Sequence, residues 1–320
     1  MDKLRVIPFG TSSGRPTATR HVSGLALDAG SDWVLVDCGE GTQQQVMRSP
    51  IKLSRLRAVL LTHLHGDHVL GLPGLLGTLA MEGRAAPLRV VAPAGVRRWL
   101  DTMLDLPILG LTFDLDVTEL PAGDAADPAS ASAAAPAVEL GTIAGFSVRA
   151  DRLVHRVPSY GYRFVEPDRP GALDLDRAVA LGLDAGPDLG RLRRGETVRG
   201  VRPDQVIGPP RPGRVVALLG DTTRAAASVR LAADADLLVH ECTYAAADHE
   251  LCDRWTHSCT ADVAAVAAEA RARHVLLTHF SARYADPERL VREVRCRLPA
   301  GSTATVHAAV ENAPVDIPRP

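Results

Sequence analysis

Two apolar runs in this sequence end in the same pair of residues. Val59-Leu60-Leu61-Thr62-His63 recurs as Val275-Leu276-Leu277-Thr278-His279, and each is preceded by an apolar run closed by aspartate: Leu35-Val36-Asp37, then Leu218-Leu219-Gly220-Asp221-Thr222. One short match of this kind can arise by chance. Two in the same order point to a duplicated β-rich unit, because short continuous apolar runs bounded by turn residues read as buried strands. The ends of these strands carry metal-ligand residue types. The pattern therefore predicts two sheets, one from each half of the chain, with a site between the halves.

The first Thr-His pair opens the densest chemistry in the chain, Thr62-His63-Leu64-His65-Gly66-Asp67-His68. With eleven histidines in 320 residues, an H-x-H-x-D-H arrangement is expected by chance on the order of once in a thousand such chains. A single histidine would carry little weight; the cluster reverses those odds. His63 and His65 sit two apart at a strand end, so their rings can lean toward one point. Asp67 and His68 are expected on a tight turn at Gly66. Imidazole and carboxylate without thiolate suit zinc, with manganese or iron as alternatives. A centre with two metals needs further ligands. His155, Asp221 and His279 each follow an apolar run and are the candidates, while His21, His240, His249, His257, His274 and His307 compete with them.

Around these elements the pattern predicts strands over Leu4 to Pro8, Gly24 to Leu27, Trp33 to Val36, Val215 to Leu219 and Leu237 to His240. Helices are expected after Thr42, closed by Pro50, from Val69 to Ala80, and from Ala261 to Ala272. Residues 122–138, rich in Ala, Ser, Asp and Pro, cannot bury enough apolar surface to stay ordered and read as a mobile surface loop. Glu166 to Gly213, rich in Gly, Pro and Arg, exceeds an ordinary connection and reads as a functional insertion into a single domain spanning residues 1–320.

Composition removes several classes. Hydrophobic residues at 46% and charged residues at 23% disfavour wholesale disorder, collagen-like and disulfide-scaffold architectures. A net charge of -2 gives no global pull toward nucleic acid or anionic membrane, so any polyanion site must be local. The five scattered cysteines form no C-x-x-C pair, which argues against a disulfide framework and fits a reducing cytoplasm. Met1 to Pro8 lacks a secretory pattern, and no apolar run is long enough to span a membrane.

The histidine block, together with Phe9-Gly10-Thr11, Asp37-Cys38-Gly39-Glu40-Gly41-Thr42-Gln43, Gly71-Leu72-Pro73-Gly74-Leu75-Leu76-Gly77, Gly220-Asp221-Thr222 and Thr278-His279-Phe280-Ser281-Ala282-Arg283-Tyr284, resembles the metallo-β-lactamase superfamily. More narrowly, it resembles the ribonuclease Z family of zinc phosphodiesterases, which trim 3′ trailers from precursor tRNA. The likeness runs from Leu4 to beyond Tyr284. It implies an α+β fold, the four-layer αββα sandwich with a projecting flexible arm. It further implies two zinc ions per subunit, one on His63, His65 and His155, the other on Asp67, His68 and His279, with Asp221 between them. Asp67 would be general base. The family's His-Glu and His-Ser pairs read here as His240-Glu241 and His257-Ser258, which makes His257 the proton donor and Glu241 its orienting partner; Cys242 and Cys259 depart from the usual Ala and Thr.

The same resemblance places Ser281, Arg283 and Arg20 on the substrate side, and the family's tRNA-gripping arm on Gly186 to Val198. There Arg191, Arg193 and Arg194, followed by Arg199 and Arg202, make a local basic surface. It also implies a homodimer, a precursor tRNA partner and a cytoplasmic setting. The loop that senses the 3′ CCA end typically reads Pro-x-Lys-x-Arg-Asn, whereas Pro16-Thr17-Ala18-Thr19-Arg20-His21 lacks the lysine and asparagine. Discrimination against CCA ends is therefore not carried over. A small-substrate phosphodiesterase or arylsulfatase-like metallohydrolase, or a non-catalytic RNA-binding protein on the same fold, are the alternatives; the arm weighs against the first and the full ligand set against the second. Gly10-Thr11-Ser12-Ser13-Gly14 matches the serine-hydrolase elbow, but Arg15-Pro16 follow where a helix should begin.

Overall fold

The computed structural model describes residues 3–106, 109–122 and 137–319; most of the low-complexity stretch 122–138 lies outside the described residues. The first half supplies β1 (Arg5–Gly10), β2 (Gly24–Asp28), β3 (Trp33–Cys38), β4 (Leu56–Leu60), β5 (Leu88–Pro93) and β6 (Leu115–Leu120). The second supplies β7 (Val138–Ile143), β8 (Phe146–Leu153), β9 (Ser159–Val165), β10 (Val215–Leu218), β11 (Leu237–Glu241), β12 (His274–Thr278) and β13 (Thr305–Ala308). A last strand, β14 (Val315–Asp316), returns to the outer edge of β1. Two sheets result, ordered β14-β1-β2-β3-β4-β5-β6 and β13-β12-β11-β10-β9-β8-β7. In each, four consecutive strands run parallel, β3 to β6 and β10 to β13.

Alternation along the strands decides the layering. In β3, Val34 and Val36 face the core between the sheets, while Trp33 and Leu35 face helices Thr42–Arg48 and Leu72–Met81. In β12, Leu276 joins that central core, while Val275 and Leu277 pack against helices Thr260–Glu269 and Glu288–Arg297. Both faces of the inner parallel strands β3, β4, β11 and β12 are thus buried and largely apolar, which is why these strands read as continuous runs. The outcome is helix, sheet, sheet, helix, the expected α+β architecture. Leu35 and Leu276 are almost fully buried, and truncating either to alanine is expected to cost about 2–5 kcal/mol.

One helix departs from expectation. The span from Val69 to Ala80 is broken into Gly66–Val69 and Leu72–Met81. Pro73 in the first turn of the second piece restarts the helix, and Gly71 at the break donates its N–H to the Cys38 carbonyl at 2.9 Å. A side chain at Gly71 would stand 2.0 Å from the Gly39 oxygen, so the break lets the histidine segment lie against the end of β3.

Residues 166–214 form a separate compact unit. It holds helices Leu175–Ala180 and Pro187–Arg193 around its own small core, which includes Ala178, Leu183, Leu189, Leu192 and Val198. Its ends are tied by buried Glu166 and Arg214, whose side chains meet at 2.8 and 3.0 Å.

Candidate metal centre

The parallel strands of the larger unit deliver polar side chains from their C-terminal ends, the usual place for ligand chemistry in sheets of this kind. His63 lies just beyond β4, His65 is the extended residue that precedes the short helix Gly66–Val69, and Asp67 and His68 lie on that helix. Gly66 takes an ordinary helical conformation there, in place of the anticipated tight turn. His155 follows β8, Asp221 follows β10, and His279 follows β12 with φ of 57°. That left-handed turn costs about 1–2 kcal/mol for a residue with a side chain. All seven residues implied by the resemblance come together.

Hydrogen-bond accounting settles which ring nitrogens face inward. Thr62 donates its hydroxyl to Asp37 Oδ2 at 2.9 Å, so at 3.0 Å it can only accept from His63 Nδ1, leaving the His63 Nε2 lone pair free. Asp37 Oδ2 also accepts from His68 Nδ1 at 2.7 Å. The Thr256 carbonyl accepts from His155 Nδ1 at 2.7 Å. Thr243 donates to Glu241 Oε2 at 2.5 Å and accepts from His279 Nδ1 at 3.0 Å. Each outer nitrogen is thereby engaged, and Nε2 of His63, His68, His155 and His279 is directed at the cluster.

Two groups of donors emerge. His65 Nδ1 lies 3.0 Å from His63 Nε2 and 3.3 Å from His155 Nε2. Asp67 Oδ2 lies 3.5 Å from both His68 Nε2 and His279 Nε2, which are 3.4 Å from each other. Asp221 Oδ2 stands between, at 3.6 Å from His63, 3.5 Å from His68 and 3.3 Å from His279. A tetrahedral zinc with bonds of about 2.0–2.1 Å holds its donors roughly 3.3 Å apart. The donor set fits divalent metal.

The field agrees. Burial depresses His63 well below the usual imidazole range, reinforced by the neighbouring His68. Burial acts the same way on His68, but the charges of Asp221 and Asp37 outweigh it and raise that ring well above its ordinary value. Burial alone would raise both Asp67 and Asp221; contacts with His279 and His68 instead hold Asp67 low, and the charges of His279, His68 and His63 hold Asp221 low. The carboxylates are thus ionised and the region around Asp221 favours positive charge.

Beside the cluster, Glu241 Oε1 accepts from His257 Nδ1 at 2.9 Å, and from Thr222 N–H at 3.0 Å. Burial lowers the His257 pKa, but the Glu241 charge and hydrogen bond more than reverse this and push it up to about 9. His257 Nε2 is left free to deliver a proton, with the ring centroid 5.3 Å from that of His279 and 5.1 Å from that of His155.

A family model described as the β-lactamase superfamily domain matches residues 32–171. Ribonuclease Z of Geobacillus kaustophilus is 39% identical over 327 positions, covering 99% of this chain and 100% of the relative. The chain belongs to the ribonuclease Z family. Ribonuclease Z of Myxococcus xanthus is 40% identical, covering 92% of this chain and 93% of the relative. Among solved structures, the short form of human tRNase Z superposes with a TM-score of 0.72 at 29% identity, covering 98% of this chain and 99% of that one.

Within this ribonuclease Z framework, the expected substrate residues occupy different surroundings. Arg283 is exposed, and its N–H donates to Ser281 Oγ at 3.3 Å. Arg20 is anchored, donating to the carbonyls of Tyr284 at 3.0 Å and Ser281 at 3.2 Å. Arg191 and Arg194 both reach Glu196, at 2.8 and 3.3 Å, while Arg199 pairs with Asp188 and Arg202 with Asp204. Arg193 is exposed and has no ion pair among the described residues. Of the competing histidines, His240 lies wholly buried with Nδ1 on the Glu241 carbonyl, His21 pairs with Glu311, His249 with Asp253, and His274 with Thr305.

Sequence reasoning assigned no role to Asp37, Thr62, Thr243 and Thr256, which fix ring orientation from behind, nor to Gly14, whose N–H donates to Asp67 Oδ2 at 2.8 Å. Asp37 and Thr62 stand in the repeated strand ends, so the internal echo was a signal for them. The Thr256 carbonyl had none.

Proposed function

We propose that the chain removes the 3′ trailer of precursor tRNA as a metal-dependent endoribonuclease, with two zinc ions held by His63, His65 and His155 and by Asp67, His68 and His279, Asp221 lying between. The observation that carries this reading is the pair of buried Glu241 and half-buried His257 beside a donor cluster with one Asp221 oxygen at its centre. Ions bound there lower the pKa of a water and offset charge on phosphoryl oxygens. Asp67, whose Oδ2 is steadied by the Gly14 N–H, accepts a proton from the attacking water. His257, its pKa raised by the Glu241 charge and hydrogen bond, gives its Nε2 proton to the departing ribose oxygen, while Glu241 holds the ring.

The insertion at 166–214 supplies the tRNA grip in this reading. Exposed Arg193 has no acidic partner among the described residues, and the exposed pairs to Glu196, Asp188 and Asp204 exchange readily for phosphate. Exposed Met47, Leu70 and Met81, on or beside helices Thr42–Arg48 and Leu72–Met81, offer apolar surface that a second copy would cover, in support of a homodimer. Five free cysteines accord with a cytoplasmic setting. No helix among the described residues is long and apolar enough to cross a membrane.

Incubating purified protein with precursor tRNAs that carry or lack CCA, then mapping the 3′ ends, tests the proposal. Cleavage at the trailer junction, lost in His63→Ala, is expected. Intact precursors alongside hydrolysis of a small aryl phosphodiester would leave a metallohydrolase of different substrate. Deleting residues 186–200 is expected to abolish tRNA cleavage while the small ester is still hydrolysed.

A further inference from the structure

The surface beside His155 and His257 carries an aromatic residue held between two cations. Trp255 ends the helix His249–Trp255 and is 39% exposed, whereas Trp33 is fully buried in the core. The Arg156 guanidinium carbon lies 5.1 Å from the Trp255 ring centroid and that of Arg254 lies 5.2 Å from it. Both arginines are exposed, and neither has an ion pair among the described residues. In the insertion, by contrast, Arg191, Arg194, Arg199 and Arg202 all have acidic partners.

The position ties this cluster to the centre. Arg156 directly follows His155, and Trp255 directly precedes Thr256, whose carbonyl holds His155 Nδ1 at 2.7 Å. Thr256 takes a left-handed conformation with φ of 53°, unfavourable for a β-branched residue. Trp255 is two residues from His257, so with about 3.8 Å between consecutive Cα atoms their backbones are at most about 7.6 Å apart. Two like charges converge on one ring, and no carboxylate among the described residues lies within ion-pair distance of either, the nearby Asp253 being turned to His249. Such an arrangement attracts a polyanion, and an indole with flanking guanidiniums is the chemistry that stacks an unpaired base while its phosphates meet the cations.

Resting on the ribonuclease reading, the geometry points to Trp255, with Arg156 and Arg254, as a ledge on which a nucleobase adjoining the scissile phosphate stacks. The single-stranded junction between acceptor end and trailer is the segment that can present such a base. Stacking there positions the scissile bond against the centre and gives the enzyme a contact with RNA that is separate from the insertion.

The test compares wild type, Trp255→Ala and Trp255→Phe on precursor tRNA and on a small aryl phosphodiester. The ratio of kcat/KM for tRNA to that for the ester is expected to fall about tenfold in the alanine variant, and phenylalanine is expected to restore most of it. An abasic site at the stacked nucleotide should erase the difference between wild type and Trp255→Ala. An unchanged ratio, or equal loss on both substrates, overturns the ledge, the latter because the ring would then only brace Thr256. A direct measurement separates this from the functional reading: tryptophan emission of the wild type should be quenched by a short single-stranded RNA through a component absent from Trp255→Ala. Absence of that component overturns the ledge even where tRNA is cleaved; its presence in an enzyme that leaves precursors whole sustains the ledge and sinks the trailer-processing reading instead.

Discussion

The two halves of the molecule build the same hydrogen-bonded unit and put it to different use. In the first, the Asp37 carboxylate accepts from Thr62 N–H and hydroxyl, Thr62 accepts from His63, and Asp37 also holds His68. In the second, the Glu241 carboxylate accepts from Thr243 N–H and hydroxyl, Thr243 accepts from His279, and Glu241 also holds His257. Each unit is a carboxylate, a threonine and two imidazoles at the carboxyl ends of parallel strands. In the first, both rings turn Nε2 into the donor cluster. In the second, His279 does so, while His257 stands beside the cluster with its Nδ1 on Glu241. In the proposed reading, ligand positions come from both halves, and displacement of one ring would turn a ligand position into that of an acid.

The sharpest way to break this comparison is to remove one ring from each kind of position. His63→Ala, or Asp221→Ala at the point shared by both donor groups, is expected to lose metal and activity together, with turnover down by more than about a thousandfold and metal content by elemental analysis below one ion per chain. His257→Ala is expected to keep its metal while turnover on precursor tRNA falls by about 10²–10⁴, the usual worth of a positioned general acid. If His257→Ala loses metal as His63→Ala does, the second unit is a ligand unit like the first and the proton donor lies elsewhere.

Much of this was legible from residues. The repeated Val-Leu-Leu-Thr-His runs and the aspartates ahead of them anticipated two related sheets, because parallel strands buried on both faces leave continuous apolar runs and end at polar positions. His155 was reachable through the apolar run before it. The pairing of roles was less legible: Asp37 and Asp221 look equivalent in the echo, yet Asp37 turns its carboxylate back on Thr62 and His68 while Asp221 faces the cluster. The difference lies in backbone, since Asp37 has φ of 59°, and in Gly220, where a side chain would come within 2.6 Å of Thr62 Cβ. That glycine lets the strand ends of the two halves close on each other, a long-range contact that no local pattern encodes. The ion pairing of the insertion's arginines was hidden likewise, because Arg191 meets Glu196 only once the chain turns back after the helix Pro187–Arg193.

A smaller, more discriminating effect comes from neutralising the two carboxylates. Asp37→Asn leaves the strand ends in place but weakens the bonds that orient His63 and His68, so metal affinity is expected to fall about 10–100-fold in a chelator competition, with turnover recovered at saturating metal. Glu241→Gln is expected to act on pH dependence. The Glu241 charge holds His257 up near 9 against burial, which lowers it. Without that charge the pKa falls, the protonated fraction at pH 8 shrinks, and the basic limb of the kcat profile moves to lower pH. An Asp37→Asn enzyme should show no such movement once it is fully loaded. Identical shifts in both variants would mean that the limb reports the donor cluster, and that the two units do not divide ligand and acid between them.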